Sequence, residues 1–288
     1  MRDSYQGFRV LLVHAHPDDE TINNGATMAM YAALGASVTL VTCTRGEEGE
    51  VLIPELLHLA ANATDSLGHH RVTELALAMK ELGVADHRFL GEGVTLFRDS
   101  GMMGTEPNNR PDVFWQADLE EASDLLVRII DEVKPHVLIT YDEFGGYGHP
   151  DHIQAHRVAM RAAEKSAWDI PKIYWNVMPI SVIQEGIDAM KGIDSDFWGA
   201  EKAEDLPFAK DDSFVHALVD GNAYVEKKMS AMRAHATQIA VDGPFFALSN
   251  NVGLQVWGNE YYTLVKGEKS SPFNEKGYES DLFAGISL

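Results

Sequence analysis

Cysteine is almost absent: Cys43 stands alone in 288 residues. No intrachain disulfide and no cysteine-built zinc cluster can form, so any bound metal must be held by histidine and carboxylate. Positive charge is also scarce, with 23 Lys and Arg against 44 Asp and Glu and a formal charge of −21. A field of that sign repels nucleic acid and anionic membrane surfaces at long range and suits a neutral or cationic small molecule, although solubility alone would account for it. No run reaches the ~18 apolar residues of a membrane span. Residues 1–7 show no basic and apolar leader pattern. A cytoplasmic protein without nucleic-acid or membrane partners is expected, its oligomeric state left open.

The apolar residues that are present fall into short solid blocks separated by helical periods. Phe8–His14, Ser37–Cys43 and His136–Tyr141 read as strands buried on both faces, with His87–Leu90 a shorter one. Between them, Glu20–Leu34 (closed by Gly35), Arg71–Leu82 (closed by Gly83) and Leu119–Val133 (closed by Pro135) read as helices. A further helix runs from about His152 to Ala167. Beyond residue 170 the order is less regular, with strands at Lys172–Val177 and Tyr261–Val265 and a helix at Ala223–His235. The alternation predicts an α/β fold: a Rossmann-like, mostly parallel sheet flanked by helices. We expect one domain, with residues 1–170 forming a metal-binding catalytic core. Residues 171–288 are a smaller C-terminal elaboration that contributes to the substrate pocket.

A glycine-rich phosphate turn is missing from the loop after the first strand, which instead reads His14-Ala15-His16-Pro17-Asp18-Asp19-Glu20. The loop after Tyr141 carries Gly145, Gly146, Tyr147, Gly148, His149, Pro150, Asp151 and His152. Both loops follow parallel strands, and ligands bind an open α/β sheet at that end, where strand order reverses. Neighbouring strands at the reversal would bring the loops to one crevice. Adjacent Asp18 and Asp19 must diverge, so one can bind a metal while the other faces water as a base. Of His149 and His152, one can be a ligand and the other a donor. Either motif alone could be a helix start; the coincidence of two argues for a metal site. His14 reads as a core histidine and His156 as packing. His58, His69, His70, His87, His136, His216 and His235 have no carboxylate at ligand spacing and receive no role.

AHPDDE at 15–20 together with HPDH at 149–152 resembles the zinc-dependent N-acetylglucosamine deacetylase family that includes LmbE-like and PIG-L proteins. The likeness covers nearly the whole chain. Within that family it is greatest to the mycothiol-pathway members that remove acetate from N-acetylglucosaminyl-inositol. The supporting segments are TCTRGEEGEV (42–51), FRDSGMMGT (97–105), TYDEFGGYGHPDH (140–152), HATQIAVDGP (235–244) and ALSNN (247–251). The sister amidases of mycothiol conjugates tend to have a lysine where this chain has Asn23-Asn24. The resemblance implies that His16, Asp19 and His152 hold one zinc ion, with iron(II) fitting the same donors. It implies that Asp18 is the general base, and that His149 protonates or supports the leaving group, oriented by Asp151. Tyr147 would stabilise the oxyanion, and Arg71 and Asp99 would hold sugar hydroxyls.

Amide hydrolysis needs an activated water, a stabilised oxyanion and a proton for nitrogen, and these residues supply all three. Glycines at 145, 146 and 148 would either let Tyr147 move or simply permit a tight turn. The competing functions are amidase action on mycothiol conjugates, deacetylation of another amino sugar, and a non-catalytic sugar-binding module. The last has no use for a base such as Asp18.

Overall fold

The computed structural model describes residues 2–190, 202–240 and 258–288. Its first half alternates strand and helix: β1 (Arg9–His14), α1 (Asp19–Ala33), β2 (Ser37–Thr42), α2 (Leu67–Leu82), β3 (Asp86–Phe89), α3 (Leu119–Val133) and β4 (Val137–Thr140). A single turn, α4 (Gly145–Gly148), leads directly into α5 (Pro150–Lys165). There follow β5 (Lys172–Pro179), α6 (Ile180–Met190), β6 (Ala209–Lys210), β7 (Ala217–Asp220), α7 (Val225–Ala234) and β8 (Asn259–Lys266). The strands form one eight-stranded sheet in the order β3-β2-β1-β4-β5-β8-β7, with β6 against β5. Pairing is parallel from β3 through β5; β8 then runs antiparallel to both β5 and β7.

The solid apolar blocks have a direct explanation in the layers. Val10 and Leu12 of β1 and Val137 and Ile139 of β4 enter one core, under α1 and α2. Leu11 and Val13, with Leu138, enter the other, which α3 and α5 cover. Because successive side chains point to opposite faces and both faces are buried, no polar alternation survives in the sequence.

Helix ends follow local chemistry. The Asp118 carboxylate accepts the Glu121 N–H at 3.0 Å and opens α3, and Lys134, at φ +52°, closes it before Pro135. Gly83, at φ +78°, caps α2. Helix α2 begins at Leu67 rather than Arg71, because its first turn is mostly polar and shows little period. Helix α5 begins at Pro150 rather than His152: proline fits the first turn, and the His149 ring caps it. The glycine segment expected as a loop is a turn broken at Gly146, with φ +74° and ψ −75°. Helix α6 and the short strands β6 and β7 were not anticipated. Residues 241–244 and 247–251, two stretches of the resembling segments, lie outside the described residues.

The buried strand core sets a first prediction. Leu12 is fully buried in the central strand. Leu12→Ala should lower the unfolding free energy by about 2–5 kcal/mol in denaturant titration, and a loss under about 1 kcal/mol would contradict the packing described.

Candidate active site

β1 and β4 lie side by side in parallel register, Val10 opposite Val137 and Leu12 opposite Ile139. β2 and β3 lie on one side of β1 and β5 on the far side of β4, so strand order reverses between them. The loops leaving their carboxyl ends meet at a cavity of about 610 Å³ lined by His16, Asp18, Asp19, Arg71, Asp99, Tyr147, His149 and His152, among others.

Three donor atoms converge there. His16 Nδ1 lies 3.3 Å from Asp19 Oδ2, His152 Nε2 lies 3.3 Å from the same oxygen, and the two nitrogens are 3.3 Å apart. Ligands at about 2.0 Å from a tetrahedral ion would lie about 3.3 Å from one another, so the triangle has the edge length of a zinc-type site. The far nitrogen of each ring is occupied: His16 Nε2 faces Asp151 Oδ2 at 3.2 Å, and His152 Nδ1 faces the Gly145 carbonyl at 3.1 Å. A neutral ring donating outward directs its remaining lone pair inward, and such partners fix the tautomer of a metal-binding histidine. Tyr141 stacks on His152 with ring centroids 4.3 Å apart.

Electrostatics favour a cation at the same point. Burial lowers the basicity of His16, but Asp99, Asp151 and Asp19 outweigh it and hold the imidazole well above its ordinary pKa. Burial raises the Asp19 carboxyl, yet His152 and His16 hold it well below the usual range. The surplus of carboxylate that draws a proton to His16 would equally favour a divalent ion at its Nδ1.

His149 offers a third imidazole, within 4.8 Å of those of His16 and His152. It also groups with His16, Asp99 and Asp151. Its chemistry differs from theirs, because its Nδ1 accepts the Asp151 backbone N–H at 3.1 Å. As a neutral ring it carries its proton on Nε2 and presents a donor to the cavity instead of a lone pair. Burial, reinforced by the charges of His16 and His152, pushes it down to about 2, so it stays neutral.

Asp18 sits at the N-cap position of α1 but does not cap it with its side chain. Its backbone is at φ +126°, ψ −35°, a region that non-glycine residues rarely occupy. The carboxylate lies 3.3 Å from Arg71. Burial pushes it up to about 6, with Arg71 opposing and Asp19 adding to the shift. That value suits a group that accepts a proton and returns it near neutral pH.

Two expectations need correction. The Asp151 carboxylate does not orient His149. It accepts from Ser100 N at 2.9 Å and from the Ser100 hydroxyl and faces His16; the hydrogen bond to His149 comes from the Asp151 backbone N–H. His235, assigned no role, is completely buried with its Nε2 2.8 Å from Glu20 Oε1. Its one sequence signal was its place in the HATQIAVDGP segment, since its partner lies 215 positions away. His70 also has a carboxylate, Glu74 at 3.5 Å. His14 bonds Asn24 in the core at 2.7 Å, and His156 meets the Tyr141 carbonyl at 3.0 Å.

The remaining residues line the cavity. Arg71 is buried and bonds the carbonyls of Gly46, at 2.8 Å, and Pro17, while its Nε meets no partner among the described residues. Asp99 accepts from Gly101 N at 2.8 Å and Glu48 N at 3.2 Å; burial raises its carboxyl, but His16 outweighs that and holds it far below the usual range. Tyr147 stands over the site with its ring 4.9 Å from that of His152, and burial raises its hydroxyl so that it remains a donor. Gly145, Gly146 and Gly148 all have positive φ, as the turn beneath Tyr147 requires.

A buried carboxylate–imidazole cluster at the switch point of such a sheet belongs to a metal-using hydrolase, and the chain is a member of the PIG-L family, described as GlcNAc-PI de-N-acetylase, whose family model matches residues 11–163. It is thus a hydrolytic N-deacetylase. Among its relatives, the Catenulispora acidiphila protein named 1D-myo-inositol 2-acetamido-2-deoxy-alpha-D-glucopyranoside deacetylase 1 is 58% identical, over 97% of this chain and 90% of its own. The deacetylase of the same name from Geodermatophilus obscurus is 58% identical over 96% and 98%. In fold the chain resembles the N,N'-diacetylchitobiose deacetylase of Pyrococcus horikoshii, with TM-score 0.56 and 20% identity over 90% of this chain and 84% of that one.

Gly145 supplies a test of the local geometry. A Cβ there would sit 2.6 Å from His152 Cβ and 2.7 Å from Ile153 N, at a φ of +65°. Gly145→Ala should weaken divalent-metal binding ~10–100-fold, the usual cost of disturbing a ligand's outer partner. Competition against a chromophoric chelator measures this, and an unchanged affinity would contradict the geometry.

Proposed function

We propose that this chain hydrolyses the N-acetyl group of 1D-myo-inositol 2-acetamido-2-deoxy-alpha-D-glucopyranoside, releasing acetate and glucosaminyl-inositol in mycothiol biosynthesis. Identity of 55–58% over nearly the full length to relatives named for that substrate carries this assignment. His16, Asp19 and His152 would hold one divalent ion, which we take to be zinc; iron(II) also suits two imidazoles and a carboxylate. Bound there, such an ion would polarise the amide carbonyl and make water a stronger acid.

Asp18 accepts the proton of the attacking water on its carboxylate and returns it to the departing nitrogen. His149 Nε2–H supports that nitrogen by hydrogen bonding, a role that suits a neutral ring better than proton donation. The Tyr147 hydroxyl donates to the oxygen on which negative charge develops. Arg71 lies against Asp18 and, with Asp99, would meet sugar hydroxyls at the cavity wall. The division into a core of 1–170 and an elaboration of 171–288 within one domain belongs to the same proposal, supported by the sheet that continues through β5 and β8. Among the described residues no helix is long and apolar enough to cross a membrane. We further propose a cytoplasmic location, in keeping with a lone buried thiol and a small polar substrate.

Acetate release should be measured against cleavage of a mycothiol conjugate. Deacetylation should win, and a tenfold preference for the conjugate, about 1.4 kcal/mol in transition-state terms, would overturn the substrate assignment. Asp18→Ala should keep its metal while turnover falls ~10²–10⁴-fold, whereas His152→Ala should lose metal. Equal metal loss in both variants would remove Asp18 from the role of base. Tyr147→Phe should lower kcat by roughly 10²-fold with KM little changed, and a pure KM effect would contradict a role in the transition state.

A further inference from the structure

We infer that Glu20 and His235 are positioning residues that hold the Asp18 carboxylate toward the cavity, an inference that rests on Asp18 being the base. An aspartate at a helix N-cap ordinarily turns its carboxylate into the helix to accept the first free N–H groups. Asp18 occupies that position in α1 and does not do so. It adopts instead a positive φ of 126°, a conformation that persists in non-glycine residues only where the surroundings enforce it.

Glu20 is the enforcing group. Its Oε2 accepts the Asp18 backbone N–H at 2.9 Å, which fixes the peptide in the turned orientation. Its Oε1 accepts from Thr21 Oγ1 at 2.5 Å and pairs with His235 Nε2 at 2.8 Å. Glu20 and His235 are both fully buried, so neither can exchange its partner for water. His235 follows the last turn of α7, whereas Glu20 lies in the first turn of α1. The contact therefore ties the C-terminal elaboration directly to the catalytic loop. His235 Nδ1 meets no partner among the described residues. Across the carboxylate, Arg71 restrains Asp18 at 3.3 Å. Without Glu20 the side chain would relax into the ordinary capping geometry and turn away from the water it must deprotonate.

The experiment is a mutant cycle on the metal-loaded enzyme that reads kcat, KM, bound metal and melting temperature. Glu20→Ala and His235→Gln should each lower kcat by ~10–100-fold, the usual cost of misplacing a reacting group. Bound metal and KM should stay within about twofold, and Glu20→Gln, which keeps an acceptor for the Asp18 N–H, should recover most of the rate. In an Asp18→Asn background, His235→Gln should cost nothing further, because its effect passes through Asp18. A full second loss in that background overturns the inference. So does a folded Glu20→Ala or His235→Gln variant with kcat within about twofold of the parent, or loss of the fold in both Glu20→Gln and His235→Gln, which would make the pair structural. Full turnover in Asp18→Asn alone would instead overturn the assignment of the base.

Discussion

The parallel pairing of β1 with β4 is the constraint on which the rest depends. Their register, Leu12 opposite Ile139, brings the carboxyl ends of two strands to the same level at the point where strand order reverses. The candidate metal ligands, base and donors leave from those ends: His16, Asp18 and Asp19 from one, Tyr147, His149 and His152 from the other. The pairing is held by alternate side chains of each strand entering two separate cores, so a one-residue slip would invert every contact on both faces. Residues about 130 positions apart thus meet with the precision of a packed interior.

Within that frame, the orientation of each ring decides its chemistry. His16 and His152 spend their outer nitrogens on Asp151 and the Gly145 carbonyl, so as neutral rings they direct lone pairs inward. His149, three residues before His152, is turned the other way by a single backbone N–H and becomes a donor. The two aspartates diverge for a comparable reason. The Asp19 carboxylate accepts the His16 N–H at 2.9 Å and stays with the rings, whereas Asp18 is levered out by Glu20. The carboxylates exceed the local cations, which explains both the high basicity of His16 and the suitability of the cluster for a divalent ion.

Much of this was legible in the chain wherever the determinant was local. Leu119–Val133 was read to its observed ends because its helical period is long and Pro135 closes it. The strands of the parallel core announced themselves as solid apolar blocks. Legibility failed where the determinant was tertiary. The four-residue strand β7 carries too little pattern to be seen before β8 pairs with it. Asp151 was given to its sequence neighbour His149, whereas its side chain reaches His16, 135 positions away. Glu20 and His235 share no spacing rule; only the packing of α7 against α1 brings them together. Arg71 entered the site through the resemblance alone, and its burial against the Gly46 carbonyl could not be read from the chain.

The central claim is that two imidazoles and one carboxylate, and not three imidazoles, hold the ion beside a free base. X-ray absorption spectroscopy of the zinc-loaded enzyme tests it most directly. The account predicts two histidine scatterers and a carboxylate oxygen in the first shell, with the spectrum of a His149→Ala variant unchanged. Three histidines in the shell, reduced to two in that variant, would contradict it.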